Sequence, residues 1–528
     1  MVSLAHGFHL FSKVMMKKIW KRFEHIDETQ DQVLKYLVKL SRNTIFGRRH
    51  DIGSVRTFDD LVNRTPLTDY SYYTPYIDAI KHGLSNALSM DPPFYWIETS
   101  GTTGEPKLFP LNHAAMEAYS QAVRRGIVSF AAESKEHARI IDGKILAYGA
   151  ASNMGTVAGY NVGFISGVLR EFYTNRFFKK KMIPSIKILN IENYEERMLR
   201  AAAAVINENV TIVSGVAPFV LSLMKAIANN DSDFLNMITS AKVREKFKKL
   251  FEKYGHLYPK DIWENLQMFA HSGVQIAPYK PVIRKLLGDV VLKDMYFGTE
   301  GGYAINIDSS VEGTHLNIDL YHFQFVQKDS EGFEKERYSA ADVRKGFIYE
   351  LIVSTPMGLF SYEVGDLVMV LKTDPLMVQV VGRSKHTINL AGEKLTEHQV
   401  IKALDEVSEK LGAEIEDFTF IGDVIDGEAV HILGVEFKKP TDLDSFIDEF
   451  DKSLRSINEI YDVLRTTRTL LKPRLVVFPK GSFKNYMKMR ILNGSPAGQM
   501  KPAHMNTSIK LLNELENPES AYEQIGSS

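Results

Sequence analysis

The chain of 528 residues contains no cysteine. That absence excludes disulfide staples, thiolate zinc sites, iron–sulfur clusters and a cysteine nucleophile together. An excess of one charge sign is missing too: 64 lysines and arginines face 65 aspartates and glutamates, for a formal net charge of −1. No global field draws such a chain to nucleic acid, and no nucleic-acid partner is expected. No apolar run reaches the ~18 residues of a spanning helix, so stable membrane insertion is not expected. The start, MVSLAHGFHLFSKVMMKKIWKRF, has no apolar run followed by a small-residue cleavage site, which makes a cytoplasmic location the expectation. In that start Phe8, Phe11, Met15, Ile19 and Phe23 interleave with Lys13, Lys17, Lys18 and Lys21. The stripe reads as a core-facing helix with solvated lysines in preference to a membrane-surface helix. Several catalytic signatures are absent as well. The 15 histidines form no His-x3-His pair, and neither Gly-x-Ser-x-Gly nor Gly-x-Gly-x2-Gly occurs, so zinc-enzyme, serine-hydrolase and dehydrogenase readings drop out.

What remains is ordinary globular composition, 44% hydrophobic and 24% charged, in a chain too long for a single core. The first ~90 residues read as helices, broken at Thr65-Pro66-Leu67-Thr68-Asp69, where Thr68 or Asp69 caps the next helix. Strands over 140–150 and 211–215 then alternate with helices over 191–207 and 217–229, which predicts α/β layers on a largely parallel sheet. Near Gly346 the chain becomes rich in β-branched and aromatic residues, at 347–354 and 367–371, as a small β-rich subdomain would. After Arg383 come a helix over 397–411, two strands joined by Asp426-Gly427, a helix over 444–460 and a strand over 474–478. The expected fold is α/β: a large multi-layered N-terminal body with a β-rich subdomain, residues 1–381, and a small, mobile α+β C-terminal domain, residues 382–528.

The most informative stretch is Thr99-Ser100-Gly101-Thr102-Thr103-Gly104-Glu105-Pro106-Lys107. Glycines let backbone N–H groups approach an anion, hydroxyls add donors and the lysine adds charge, a combination suited to polyphosphate. It is not a Walker loop, because the Gly-x4-Gly-Lys-Ser/Thr spacing is absent.

This loop resembles the first core motif of the adenylate-forming (ANL) superfamily of acyl-CoA synthetases, luciferases and peptide-synthetase adenylation domains. Further likenesses follow in order: Tyr296-Phe297-Gly298-Thr299-Glu300, Tyr362-Glu363-Val364-Gly365-Asp366, Gly382-Arg383 through Gly392-Glu393 and Glu397, and Gly498-Gln499-Met500-Lys501-Pro502. Within the superfamily the chain resembles the GH3 family of auxin-responsive acyl acid amido synthetases, in Thr65–Tyr70 with Pro75-Tyr76-Ile77, in Gly358–Asp366 and in 474–501. Three features depart from that family's pattern. Ser361 and Glu363 stand where the plant enzymes carry arginines, 296–300 reads like the wider superfamily, and 382–393 is more like acyl-CoA ligases.

The resemblance implies an ATP-dependent ligase that adenylates a small carboxylic acid and passes the acyl group to an amine of the amino-acid class, with ATP and Mg²⁺ as cofactors. It assigns nucleotide binding to Thr99, Ser100, Gly101, Thr102, Thr103, Gly104 and Lys107 at the phosphates, with Thr299 at the α-phosphate. Ser272-Gly273-Val274 and Tyr296-Phe297-Gly298 would flank adenine, while Asp366 and Arg383 would hold ribose. Glu300 would hold the metal, and Lys501, with Thr103 and Lys107, would carry the chemistry; Lys480, Lys484 and Lys488 stand next in line for Lys501. Two other outcomes fit the same motifs: coenzyme A as acceptor, or a nucleotide-binding sensor without turnover.

Overall fold

The computed structural model describes residues 4–99, 107–173, 175–228, 236, 238, 240–273, 276, 280–328, 334–383, 387–388, 393, 395–425, 428–439, 442–466, 470–492, 504–506, 511–512 and 515. The chain divides into a larger unit drawn chiefly from residues up to Gln379 and a smaller one that begins at Val380 and also takes in Gly365–Val368.

The larger unit opens with helices α1 (Leu4–Phe23), α2 (Ile26–Ser41), α3 (Ile45–Arg49), α4 (Phe58–Arg64) and α5 (Tyr70–Lys81). Local chemistry starts several of them. Thr57 and Asp60 form a reciprocal capping box on α4, and the Asp69 carboxylate accepts the Tyr72 N–H at 3.1 Å to cap α5. The break between α4 and α5 is docked tightly. The Thr68 N–H donates to the Ser361 carbonyl at 2.9 Å, its carbonyl accepts the Glu363 N–H at 2.8 Å, and its hydroxyl donates to the Phe360 carbonyl.

A four-stranded sheet is built from β1 (Pro93–Glu98), β2 (Leu108–Asn112), β4 (Thr156–Val157) and β5 (Tyr160–Phe164) in the order β2-β1-β5-β4. Helix α6 (His113–Glu133) leaves β2 directly, with Asn112 as its cap, and α7 (Ile165–Phe172) and α8 (Arg176–Lys181) follow β5.

The main sheet has twelve strands. These are β3 (Lys144–Tyr148), β6 (Met182–Ile183), β7 (Val210–Val216), β8 (Met268–Ser272), β9 (Val291–Phe297), β10 (Gly302–Ile305), β11 (Thr314–Leu316), β12 (His322–Lys328), β13 (Glu334–Ser339), β14 (Ile348–Ser354), β15 (Tyr362–Thr373) and β16 (Leu376–Arg383). Their order is β13-β12-β14-β15-β16-β11-β10-β9-β8-β7-β3-β6. The half from β9 to β6 is parallel. From β9 onward, the pairs β9-β10, β10-β11, β11-β16, β12-β14 and β12-β13 are antiparallel.

One expectation is therefore corrected: the sheet, expected to be largely parallel, is mixed, and the β-rich stretch beyond Gly346 contributes β14, β15 and β16 to it. Connections decide this: helices between β7, β8 and β9 permit parallel crossovers, whereas the four residues between β9 and β10 permit only an antiparallel return. The strand expected over 140–150 is shortened to β3, because His137–Asp142 forms a 3-10 turn that buries Ile140 and Ile141 as a strand would. Helices Tyr194–Val205, Ala217–Ala228 and Lys280–Leu287 pack on the parallel half through Val213, Val220, Leu223, Phe269 and Leu286.

In the smaller unit, β17 (Thr387–Ile388) pairs with β18 (Leu395–Thr396), and a sheet runs β21-β20-β19-β22, from β19 (Ile415–Ile425), β20 (Glu428–Phe437), β21 (Leu470–Val477) and β22 (Met505–Asn506). The Asp426-Gly427 turn lies outside the described residues. Helices Glu397–Leu411 and Leu443–Ile457 cover this sheet through Val400, Leu404, Phe420, Phe446 and Phe450. The single helix expected over 444–460 is two, because Asn458 interrupts it: its side chain accepts the Tyr461 N–H and donates to the Glu393 carbonyl. Among the described residues no helix is long and apolar enough to cross a membrane.

A buried arginine on α6 fastens the turn between β11 and β12. Arg125 on α6, only 5% exposed, donates to Asn317 at 2.7 Å and to both oxygens of Asp319 at 2.6 Å. Burial alone would raise the Asp319 carboxyl, but Arg125 and then Arg22 outweigh it and hold it below the ordinary carboxylate value. Arg125→Met should therefore cost about 3 kcal/mol, since it leaves Asp319 buried with only the exposed Arg22 as partner. Urea denaturation near pH 7 measures this, and an unchanged midpoint would refute it.

Candidate active site

Of the Thr99–Lys107 stretch, the two end residues lie just beyond the paired ends of β1 and β2. Glu98 pairs with Leu108 in register, and the next residues outward close the loop: the Thr99 N–H donates to the Lys107 carbonyl at 2.9 Å, and the Lys107 N–H donates to the Thr99 hydroxyl at 3.0 Å. Tyr70 braces the base, its hydroxyl accepting the Leu108 N–H at 2.9 Å while its ring lies 5.4 Å from the Lys107 ammonium. Glu98 is half-buried, and that burial raises its carboxyl. Ser100, Gly101, Thr102, Thr103 and Gly104 lie outside the described residues, so of this motif the structure places Thr99 and Lys107.

The second motif occupies a place where the main sheet changes from parallel to antiparallel. Tyr296 and Phe297 end β9, and Gly298, Thr299, Glu300 and Gly301 make the return to β10, closed by the Gly298 N–H on the Gly301 carbonyl at 2.9 Å. A hydroxyl inside the core holds this turn: Tyr119 on α6 lies 2.6 Å from the Thr299 carbonyl oxygen and 3.0 Å from that of Gly298. Burial, with Tyr321 and Glu300 nearby, raises Tyr119 well above the ordinary phenol value, so it stays a donor. The half-buried Glu300 carboxylate accepts from Tyr303 at 3.3 Å and from Tyr362 at 3.4 Å. A Cβ at Gly298 would meet Glu300 Oε2 and the Tyr303 hydroxyl at 3.0 Å, so both side chains would have to shift to admit it. Thr299 is buried. Tyr296, expected to stack on adenine, is 9% exposed and packs edge-to-face on Tyr303 at 5.1 Å, whereas the neighbouring Phe297 is the more open ring.

Parallel strands bring their C-terminal ends to one edge, so Ser272 at the end of β8, opposite Met295 of β9, shares that edge with the Tyr296–Glu300 segment. Gly273 follows with φ +85°. Val274 lies outside the described residues. Asp366 is on β15 and 5% exposed. Arg383 ends β16, but its side chain, like Lys501, lies outside the described residues. Ser361 is fully buried at φ +48°, bonded to Thr65 at 2.7 Å and to Gln324 at 2.8 Å. No spacing rule singled out Tyr119 or Tyr303; a tyrosine in an apolar helix or strand reads from sequence as core.

Three family models cover most of the chain: the GH3 family N-terminal domain over residues 15–292, the GH3 family central domain over 314–383 and the GH3 family C-terminal domain over 398–509. The chain belongs to the GH3 family. Among its relatives, the rice jasmonoyl–L-amino acid synthetase GH3.5 (Oryza sativa subsp. japonica) is 21% identical over 91% of this chain and 92% of its own length. The indole-3-acetic acid-amido synthetase GH3.10 of Arabidopsis thaliana is 21% identical over 93% and 95%. The match to the Arabidopsis 4-substituted benzoates-glutamate ligase GH3.12 is 25% identical but spans only 45% of each chain. Among solved structures, the GH3.15 acyl acid amido synthetase superposes with a TM-score of 0.75, at 17% identity, over 96% of this chain and 95% of that one. A 2-hydroxyisobutyryl-CoA ligase superposes at 0.58, with 13% identity, over 95% and 92%. The GH3 chain thus has the adenylate-forming fold.

One charged cluster in the GH3 C-terminal domain went unnoticed in the sequence. His504, three residues beyond Lys501, sits with Nδ1 2.9 Å from Glu397 and Nε2 3.1 Å from Asp417, its ring stacked on Phe418 at 4.2 Å and its carbonyl accepting the Phe420 N–H. Burial opposes its charge, but the carboxylates of Asp417 and Glu397 outweigh burial and lift the imidazole to about 9. A pKa raised on folding stabilises fully below the unfolded value of 6.5 and is lost as pH rises through about 9. His504→Gln should therefore cost about 2–3 kcal/mol below pH 6, with the gap to the parent closing as pH passes 9. Denaturation midpoints across that range test it, and a pH-independent gap would be incompatible with a buried imidazolium.

Proposed function

We propose that this GH3 chain is an AMP-forming acyl acid amido synthetase. The observation that carries the reading is the Tyr119-held turn, which presents Thr299 and the Glu300 carboxylate at the C-terminal edge of the parallel strands, where ligands of open α/β sheets bind. The names of two relatives, a jasmonoyl–L-amino acid synthetase and an indole-3-acetic acid-amido synthetase, support a small carboxylic acid and an amino acid as substrates.

A carboxylate is a poor electrophile, so the acid oxygen first attacks the α-phosphorus of ATP. The bond to pyrophosphate breaks, and an acyl-AMP is held away from water. The amine nitrogen then attacks the acyl carbon, the carbon–oxygen bond to AMP breaks, and the nitrogen loses a proton. Thr99, Ser100, Gly101, Thr102, Thr103, Gly104 and Lys107 hold the β- and γ-phosphates, Thr299 meets the α-phosphate, Asp366 accepts from the ribose hydroxyls and Arg383 adds a ribose contact. Ser272, Gly273 and Val274 with Tyr296, Phe297 and Gly298 border the adenine. Lys501 supplies a cation where acid and phosphate, both anionic, must meet, an interaction stronger in the transition state than in the ground state.

Magnesium fits this donor set. It is commonly held by one or two carboxylates plus substrate phosphates, and Glu300 is one half-buried carboxylate; among the described residues no group of three or more His, Cys, Asp or Glu forms a dedicated cage. Bound at Glu300, the ion would offset phosphate charge. The reaction belongs in the cytoplasm, where ATP is supplied.

ATP–pyrophosphate exchange over a panel of carboxylic acids, followed by mass spectrometry with mixed amines and coenzyme A, tests the reading. Amide products support it, thioesters transfer the assignment to coenzyme A ligation, and silence with every acid leaves a sensor. Lys501→Ala should lower acid-dependent exchange on the order of a hundredfold while supplied acyl-AMP is still consumed by the amine. Equal loss in both half-reactions, or in neither, would remove Lys501 from that role.

A further inference from the structure

Helix α1 has two faces that differ in partner. One buries Ala5, Phe8, Ser12, Met16, Ile19 and Phe23 against α6 and the His137–Asp142 turn. The other carries Leu4, Leu10, Phe11 and Val14, which are 52–62% exposed, and then Lys13, Lys17, Lys18 and Lys21, which are exposed as well. The spacing 4, 7, 11, 14, 18 with 10, 14, 17, 21 puts these on one stripe, apolar toward the helix start and basic toward its end.

Helix α8 adjoins α1 and is basic and aromatic in its turn. Phe178 meets Phe8 edge-to-face at 6.0 Å, and beside it Phe177 stands 44% exposed among the exposed Arg176, Lys179 and Lys180. Neither helix contains an aspartate or glutamate. In a chain whose net charge is −1, that is a strong local departure. Arg22 is the exception on α1, since it turns to Asp319 at 2.9 Å.

We propose that α1 and α8 form a peripheral docking face for an anionic lipid bilayer, with Leu4, Leu10, Phe11 and Val14 entering the headgroup layer and the lysines meeting lipid phosphates and carboxylates. The chemistry selects this occupant. Apolar side chains projecting from a convex helix match a deformable surface, and lysines at the edge of the stripe keep their stems along it while their ammonium groups reach the headgroups. A nucleic acid would reward the lysines but not Leu10 or Val14. The attraction requires anionic lipid and is screened by salt. It stands independently of the reaction proposed above.

The test is co-sedimentation of the full chain with vesicles of phosphatidylcholine alone and with about 30 mol % phosphatidylserine. The expected result is binding to the anionic vesicles, weakened by salt and lowered on the order of tenfold by Leu10→Glu with Val14→Glu and, separately, by Lys17→Glu with Lys18→Glu. All four residues are exposed, and an unchanged thermal midpoint for each variant confirms the fold. No binding to anionic vesicles, or binding that survives both double variants, overturns the proposal. So does a parent chain that dimerises through Leu10 and Val14, or that prefers polyglutamate or duplex DNA to the vesicles.

Discussion

The fold turns on a connection too short to cross over. Four residues between β9 and β10 force an antiparallel return, and the main sheet changes character at that point. Strands on one side bring C-terminal ends to a common edge, while the other side brings β15 into the same sheet. A tight turn at such a place leaves carbonyls pointing inward, and buried carbonyls need donors. The Tyr119 hydroxyl answers that need for Thr299 and Gly298, and Asn317 does so for Gly302. Glu300 therefore stands on a turn whose backbone is satisfied from inside the protein.

The same accounting explains the five opening helices. They add little to the sheet itself, yet their polar side chains meet the backbone groups that the sheet leaves over. Gln30 donates to the carbonyls of Ile318 and Tyr321 and accepts the Phe323 N–H, and Tyr73 both donates to the Phe360 carbonyl and accepts the Phe360 N–H. Leaving such a buried group unpaired costs more than the bond itself contributes. The frame is thereby tied to two defined segments, 317–323 and 360–363, and the second of these begins the strand that carries Asp366.

How legible this was in the sequence depended on the range of each interaction. Asp69 as a cap, the helix from Glu397 and the paired strands β19 and β20 follow from contacts within a few residues, and the reading of them agrees with the structure. The family was legible because the motifs' residue types follow one another in the order that the GH3 pattern has. The continuity of the main sheet was not, because whether two β-rich stretches share one sheet is decided by pairs such as Thr314 with Val378, 64 residues apart. Nor was the role of Tyr119, 180 residues from Thr299. His504 escaped for a related reason: its partners Glu397 and Asp417 are 107 and 87 residues away, and a lone histidine in a polar tail carries no periodic signal.

Ser361 shows how a departure from a family pattern can be read physically. An arginine there would have to place a guanidinium where the side chain is fully buried, between Thr65 and Gln324, on a backbone at φ +48° that L side chains adopt reluctantly. Serine satisfies both neighbours with one hydroxyl. The substitution therefore belongs with Thr65, Thr68 and Gln324 as one packed unit that fastens the lead-in segment to the start of β15. Two residues on, Glu363 is only half-buried, and there a change of charge faces solvent instead of core. Of the two departures, Ser361 concerns how the strand is anchored.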